Sequence, residues 1–297
     1  MGYGVYTECS YMAATKNANI TASSSVRDTF SSHIQTNKLS SDFNLGARIH
    51  NTSVPKEMLN VGVRECRDSE EHPNTTPIII AFDVTGSMGR IPLNLIKNQF
   101  PHLMSYLKEI GVQDPQILFM AIGDHYSDSY PIQVDQFEID SEKIVNSLKT
   151  FYIEGGGGGN GGESYLLSWI IAGYHTETDA WFKRGKKGFL FTIGDEPCHE
   201  CIKSTYLHRH LQYENRCSDI TAKEALEKAQ EQYHVFHIHC TDGSYPFSRI
   251  KNGWERLVGD NLLSSNSENI PEIIGNAIKN CNSESISKKV EDFPTFL

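Results

Sequence analysis

No stretch of this sequence approaches the roughly 18 consecutive apolar residues that a membrane-spanning helix needs. Its longest apolar runs, such as 78–82, are strand-sized, so no membrane partner is expected. Positive charge is also scarce: 27 Lys and Arg stand against 37 Asp and Glu, a net charge of −10. Nucleic-acid-binding surfaces draw most of their affinity from Lys and Arg against phosphates, so no nucleic-acid partner is expected either. The first nine residues lack the basic segment and apolar core of a secretory signal, and Tyr6 stands where myristoylation requires Ser or Thr. These absences predict a cytoplasmic protein. Its seven cysteines, odd in number and irregularly spaced, then read as reduced thiols, and the glycosylation-like triplets at Asn19, Asn51 and Asn74 carry no meaning. A Gly-x-Ser-x-Gly elbow is missing, and so is the Gly-Lys-Ser/Thr end of a P-loop.

What is present is organised around residues 76–89, Thr-Pro-Ile-Ile-Ile-Ala-Phe-Asp-Val-Thr-Gly-Ser-Met-Gly. The apolar run reads as a strand buried on both faces, and it ends in Asp83, Thr85 and Ser87. Spaced two apart, these three can place one carboxylate and two hydroxyls in a small volume, an oxygen set suited to a hard cation such as Mg²⁺. The plainer alternative is that Asp83 caps the following helix while Thr85 and Ser87 furnish a turn.

The pattern of an apolar strand ending in acid recurs at 115–124, closing on Asp124, and at 188–196, closing on Asp195 and Glu196. Between these runs, residues 91–110 carry apolar positions three and four apart, an amphipathic helix in which Pro101 should introduce a kink. A short edge strand is expected over 131–137 and helices over 141–148, 165–174 and 221–233. A fourth strand is expected over 234–240, then a short element near Trp254 and a closing helix over 270–278. Strands alternating with helices predict an α/β fold with a doubly wound, mostly parallel sheet. Residues 1–72, rich in Ser, Thr and Asn, read as a partly ordered extension, because Tyr3, Tyr6, Tyr11, Phe30 and Phe43 are too many aromatics for a free tail. The charges of 64–71 should sit on the surface. The main domain is expected over 73–281 and a carboxyl-terminal tail over 282–297.

The glycine run 155–159, with Asn160, Gly161, Gly162 and Glu163, follows no clear strand. It reads as a flexible loop or as backbone able to approach a bound ion, with Asn160 offering an oxygen. Taken in order, these landmarks resemble the von Willebrand factor A (vWA) domain, a Rossmann-like fold carrying a metal-ion-dependent adhesion site (MIDAS). The resemblance spans about 76–280. Asp83-Val-Thr85-Gly-Ser87 is similar to the family's Asp-x-Ser/Thr-x-Ser signature, and Asp124-His-Tyr-Ser-Asp to an Arg-Asp-His/Tyr segment. The glycine loop is similar to a Gly-Gly-Gly-Asp-x-Pro-Glu variant, and Gly194-Asp195-Glu-Pro-Cys-His199 to Asp-Ala-Pro-Pro-His. Trp254 and Leu257 also match. The chain departs from the family at Asn160, where many members have Thr, so Asn160, Glu163 or a water would supply the second-loop ligand.

The resemblance implies a bacterial or phage-type intracellular member with Mg²⁺ or Mn²⁺ held by Asp83, Thr85, Ser87, Asn160 and Asp195. An acidic side chain of a protein partner would complete the metal shell, making the chain an adaptor or scaffold rather than an enzyme, with no catalytic residue. The same site is open to use by a regulatory subunit of an AAA+ ATPase system. A third reading is a Mg²⁺-dependent phosphoryl-transfer hydrolase with Asp83 as nucleophile, which lacks its general acid because position 85 is Thr. Separately, Cys198 and Cys201, with His199, His208, His210 and Cys217 nearby, offer chemistry for zinc, though their spacing is irregular. His237 and His239 should share one face of their strand as half-buried, hydrogen-bonded side chains.

Overall fold

Near-continuous apolar runs bury both faces of a strand, and in the computed structural model four of them stand side by side in parallel. The structure describes residues 4–17, 63–128, 130–148, 151, 161–211, 213 and 217–291. The amino-terminal half carries α1 (Glu8–Asn17), β1 (Arg64–Cys66), β2 (Thr76–Asp83), α2 (Ile91–Asn94), α3 (Phe100–Glu109), β3 (Pro115–Ile122), β4 (Ile132–Val134) and α4 (Ser141–Leu148). Next come α5 (Tyr165–Tyr174), β5 (Thr176–Thr178), α6 (Asp179–Arg184), β6 (Gly188–Gly194), β7 (Cys201–Ile202) and α7 (Ser204–Leu211). The chain continues through β8 (Ile220–Thr221), α8 (Ala222–Gln232), β9 (Tyr233–Cys240), α9 (Phe247–Val258), β10 (Leu262–Ser265) and α10 (Ile270–Glu291).

The main sheet has six strands in the order β10-β9-β6-β2-β3-β4, all parallel except β4. From β2 the chain moves outward through β3 to β4, then returns to β6 on the other side of β2 and moves outward the opposite way. The gap between β2 and β6 is therefore the point where the winding reverses, and ligands of such sheets bind there, beyond the carboxyl ends of the strands. Register carries the acids to that edge: Asp83 pairs with Ile122 and Phe82 with Ile193, so Asp124 and Asp195 follow their strands at the same level as Asp83.

Strand alternation divides the core in two. Ile78, Ile80 and Phe82 pack with Leu93, Ile96, Phe100 and Leu103 on one face, and Ile274 and Ile278 of α10 close it. Ile79 and Ala81 turn to the other face, against Leu166, Leu167 and Ile170 of α5, Leu226 of α8 and Trp254 of α9. This is the doubly wound α/β arrangement. Just before Pro101, the expected position of a kink, residues Leu95–Gln99 form one π turn between α2 and α3, with the Phe100 amide reaching back to the Leu95 carbonyl. Pro101 has no N–H to serve the next carbonyl, that of Ile96, and the Tyr11 hydroxyl of α1 donates there instead. Tyr11 is fully buried against Phe100 and Tyr6, so this part of the amino-terminal extension is packed. Tyr3, Phe30 and Phe43 lie outside the described residues.

The charges of 64–71 follow expectation only in part: Glu70 and Glu71 are exposed. Arg64 is buried, and Arg67 and Asp68 join an ion-pair network with Glu177, Asp179 and Arg184 rather than facing solvent. The element near Trp254 is the full helix α9, and β10, a strand the pattern did not show, follows it.

Candidate functional site

Asp83 is the last residue of β2 and has no exposed surface. Its Oδ1 accepts from the Thr85 backbone N–H at 2.8 Å and the Thr85 hydroxyl at 2.7 Å, and its Oδ2 accepts from the Tyr165 hydroxyl at 2.9 Å. The turn is thus fastened by the carboxylate itself. The helix-cap alternative for Asp83 fails: neither the short 3-10 turn Gly86–Met88 nor α2 has a side-chain cap.

From Thr85 the chain of contacts continues across the winding reversal. Thr85 Oγ1 lies 3.3 Å from Ser87 Oγ, and Ser87 Oγ donates to Asp195 Oδ1 at 2.7 Å. Asp195 Oδ2 accepts from the backbone N–H groups of Ser244 and Tyr245 at 2.5 and 3.1 Å, and the Ser244 hydroxyl returns to the Ser87 carbonyl at 3.0 Å. Asp83, Thr85, Ser87 and Asp195 are therefore brought together. Asn160 and the glycines 155–159 lie outside the described residues. Glycine at position 194 permits the assembly, since a Cβ there would sit 1.9 Å from the Tyr165 hydroxyl. A Cβ at Gly243 would likewise meet Asp195 at 2.5 Å.

Charge at this edge is one-sided. Asp83, Asp124, Glu163, Asp195 and Glu196 are all buried. Among the described residues no Lys or Arg pairs with Asp83, Glu163, Asp195 or Glu196, and Glu163 Oε2 is buried without a hydrogen-bond partner. Burial, and then the charge of Asp83, pushes the Glu163 carboxyl far above the usual range; burial, with Asp195 beside it, pushes Asp83 up as well despite its hydrogen bonds. Burial and the Asp83 charge also keep the Tyr165 phenol protonated as a donor.

Next to this set, the turn after β3 meets the loop after β6. His199 Nε2 contacts Asp124 Oδ1 at 2.8 Å, and His125 Nδ1 contacts Ser164 Oγ at 2.7 Å. Burial and the neighbouring His199 push the His125 imidazole down to about 4, so it is neutral at pH 7. Three consecutive residues at the start of α5 thus serve the whole edge: Glu163 lies between the acids, Ser164 holds His125 and Tyr165 holds Asp83. The sequence marked Tyr165 only as the start of a helix and did not single out Ser164; their position directly after the glycine loop was the available signal.

The cysteine constellation does not assemble as a metal set among the described residues. The only group there of three or more potential ligands is Asp124, His125 and His199; Cys198 and Cys201 are not in it. The Cys198 thiol is pushed up to about 12 by burial, which disfavours the thiolate that zinc requires. His208 Nδ1 contacts the Tyr213 carbonyl. His237 and His239 do share a face, but both are fully buried rather than half-buried. His237 Nδ1 meets Thr192 Oγ1 and its ring stacks on Trp254 at 3.4 Å, whereas neither ring nitrogen of His239 has a hydrogen-bond partner.

No helix of the described residues is long and apolar enough to cross a membrane. No family model matches the chain, and no curated protein matches it in sequence. Among solved structures it is similar to the pilus adhesin SpaC from Lactobacillus rhamnosus GG in its open conformation, with TM-score 0.44 and 8% identity over 72% of this chain and 30% of that one. It is also similar to the vWF domain of the type V pili tip protein Mfa5 from Porphyromonas gingivalis, with TM-score 0.41 and 10% identity over 74% of this chain and 97% of that one. The chain spans less than a third of the SpaC adhesin's length and nearly all of the Mfa5 domain.

Proposed function

We propose that this chain is a divalent-cation-dependent protein-binding domain of the vWA type. Asp83, Thr85, Ser87 and Asp195 would hold Mg²⁺ or Mn²⁺, with Asn160, Glu163 or a water as the remaining ligand. The observation that carries this reading is the single hydrogen-bonded run from Asp83 through Thr85 and Ser87 to Asp195, built from two strand ends across the winding reversal. The donor set fits a hard cation: carboxylates and hydroxyls only, with Asp83, Thr85 and Asp195 buried and Ser87 partly so, with no Lys or Arg paired to them among the described residues and with one orphaned carboxylate oxygen on Glu163. When bound, the ion would supply positive charge to that cluster and an open position for an acidic side chain from a protein partner.

The protein's own residues prepare that position. Tyr165 and the Thr85 amide fix the Asp83 carboxylate, and the Ser244 and Tyr245 amides fix that of Asp195, so neither acid needs to reorient when a partner arrives. The same engagement of both Asp83 oxygens, in a side chain with no exposed surface, disfavours Asp83 as a nucleophile for phosphoryl transfer. A partner that binds in Mg²⁺ is expected to be released by EDTA and to ignore Asp83→Ala. Full binding by that variant in EDTA would refute the proposal.

A further inference from the structure

A second donor set lies beside the first and differs from it in chemistry. Asp124, His125 and His199 each offer one ligand atom, and the three atoms lie within 4.8 Å of one another. Asp124 Oδ1 is 2.8 Å from His199 Nε2, and the two imidazoles meet edge to face with centroids 5.0 Å apart. His125 is 1% exposed. Its backbone N–H and its Nδ1 both engage Ser164 Oγ, at 2.8 and 2.7 Å, while Nε2 is buried with no hydrogen-bond partner. A buried imidazole nitrogen left without a partner is uncommon in folded proteins and calls for an explanation such as an ion.

We propose that Asp124, His125 and His199 form a separate site for a first-row divalent transition ion such as Zn²⁺, held by Asp124 Oδ1, His125 Nε2 and His199 Nε2. Two imidazoles and one carboxylate select transition ions over Mg²⁺, whereas the all-oxygen set at Asp83 selects the reverse. The outer contacts match what ligating side chains require. Ser164 accepts from the His125 Nδ1–H and so presents Nε2 as the lone-pair nitrogen, and Asp124 is held by the Ser127 hydroxyl at 3.0 Å and the Tyr126 amide at 3.1 Å. Tyr126 and Tyr206 wall the site, each with its ring centroid within 5.3 Å of the other and of His125. The partly exposed His199 side chain, at 12%, gives the ion a way in. Three protein ligands leave at least one position for water or an added ligand.

The test is titration of metal-stripped Asp83→Ala protein with Co²⁺, which reports its ligand field in the visible spectrum, followed by displacement with Zn²⁺. One equivalent of Co²⁺ with a visible band is expected. His199→Gln and Asp124→Asn, which keep polar side chains of similar size, should each weaken it at least tenfold, and Ser164→Ala about 10- to 100-fold. The Cys198→Ser/Cys201→Ser double variant should bind as before. Should Asp83→Ala fail to unfold cooperatively, the same titration in wild-type protein with the first site filled by excess Mg²⁺ replaces it. Absence of the band in folded protein, a band indifferent to His199→Gln and Asp124→Asn, or a band lost in the cysteine variant would each overturn the site. Mg²⁺ affinity measured on His199→Gln separates the two readings, because the Asp83 site should keep its affinity there whichever way the Co²⁺ result falls.

Discussion

The two ends of the central sheet handle acidic residues in opposite ways. At the amino edge, carboxylates are matched by cations. Arg67 contacts Glu65, Glu177 and Asp179, Lys183 contacts Asp179, and Arg184 reaches both Asp68 and the Thr75 carbonyl at the start of β2. At the carboxyl edge, Asp83, Glu163, Asp195 and Glu196 are buried and, among the described residues, paired with no Lys or Arg; hydroxyls and backbone amides hold Asp83 and Asp195, and Glu163 Oε2 has no hydrogen-bond partner. One network stabilises the folded chain by itself; the other, on the function proposed above, takes its counter-charge from outside. A protein that keeps uncompensated buried acids gives up stability at that place, and function is the usual reason.

The comparison can be broken first at the matched edge. Asp179→Ala removes the acceptor shared by Arg67, Lys183 and the Asp68 amide, and a loss of about 2–3 kcal/mol is expected in urea unfolding, with or without Mg²⁺. A loss that depended on Mg²⁺ would blur the distinction between the edges. At the unmatched edge the sign reverses. Glu163→Gln removes a buried acid that must take up a proton to fold at neutral pH, while keeping the shape, so in EDTA it should raise stability by about 1–2 kcal/mol, a gain that saturating Mg²⁺ reduces or abolishes. Destabilisation in EDTA would contradict the picture of an uncompensated acid.

A smaller effect separates the edges by pH. Burial alone would raise the Asp179 pKa, but Lys183, the Asp68 amide and Arg67 together hold it below its ordinary 3.8. Its stabilisation is therefore fully present above that pH and lost as pH falls below it. Asp83 and Glu163 are shifted upward from 3.8 and 4.5, so the metal-free protein bears no penalty from them below those values and a growing one as pH rises above them. The melting temperature in EDTA should accordingly decline between about pH 5 and 8, more steeply than in Mg²⁺, and Glu163→Gln should flatten the decline. Equal slopes in EDTA and Mg²⁺ would argue against a cation site among these groups.

The same contrast explains what could be read from the residues alone. β2, β3, β6 and β9 announce themselves because a strand buried on both faces must be apolar nearly throughout, and three of these runs stop in acids. Asp83, Thr85, Ser87 and Asp195 were legible because parallel register delivers strand ends to one edge. The strands β1, β5, β7 and β8 span only two or three residues, too few to show a period. Arg67 and Asp179 are 112 residues apart, and His199 and Asp124 75, so neither the matched network nor the histidine pair leaves a local trace. The Tyr165 hydroxyl was hidden for another reason: its ring belongs to the core of α5, and only the fold shows its oxygen turned to Asp83.

The account rests on a cation filling the unmatched edge, and the most direct measurement is calorimetric titration of Mg²⁺ and Mn²⁺ into metal-stripped protein, wild type beside Asp83→Ala. One binding site in the wild type that weakens by at least about 100-fold in the variant, roughly 3 kcal/mol, is the predicted result. Equal binding by a folded Asp83→Ala protein, or no binding by the wild type even with an acidic peptide supplied to complete the shell, would contradict it.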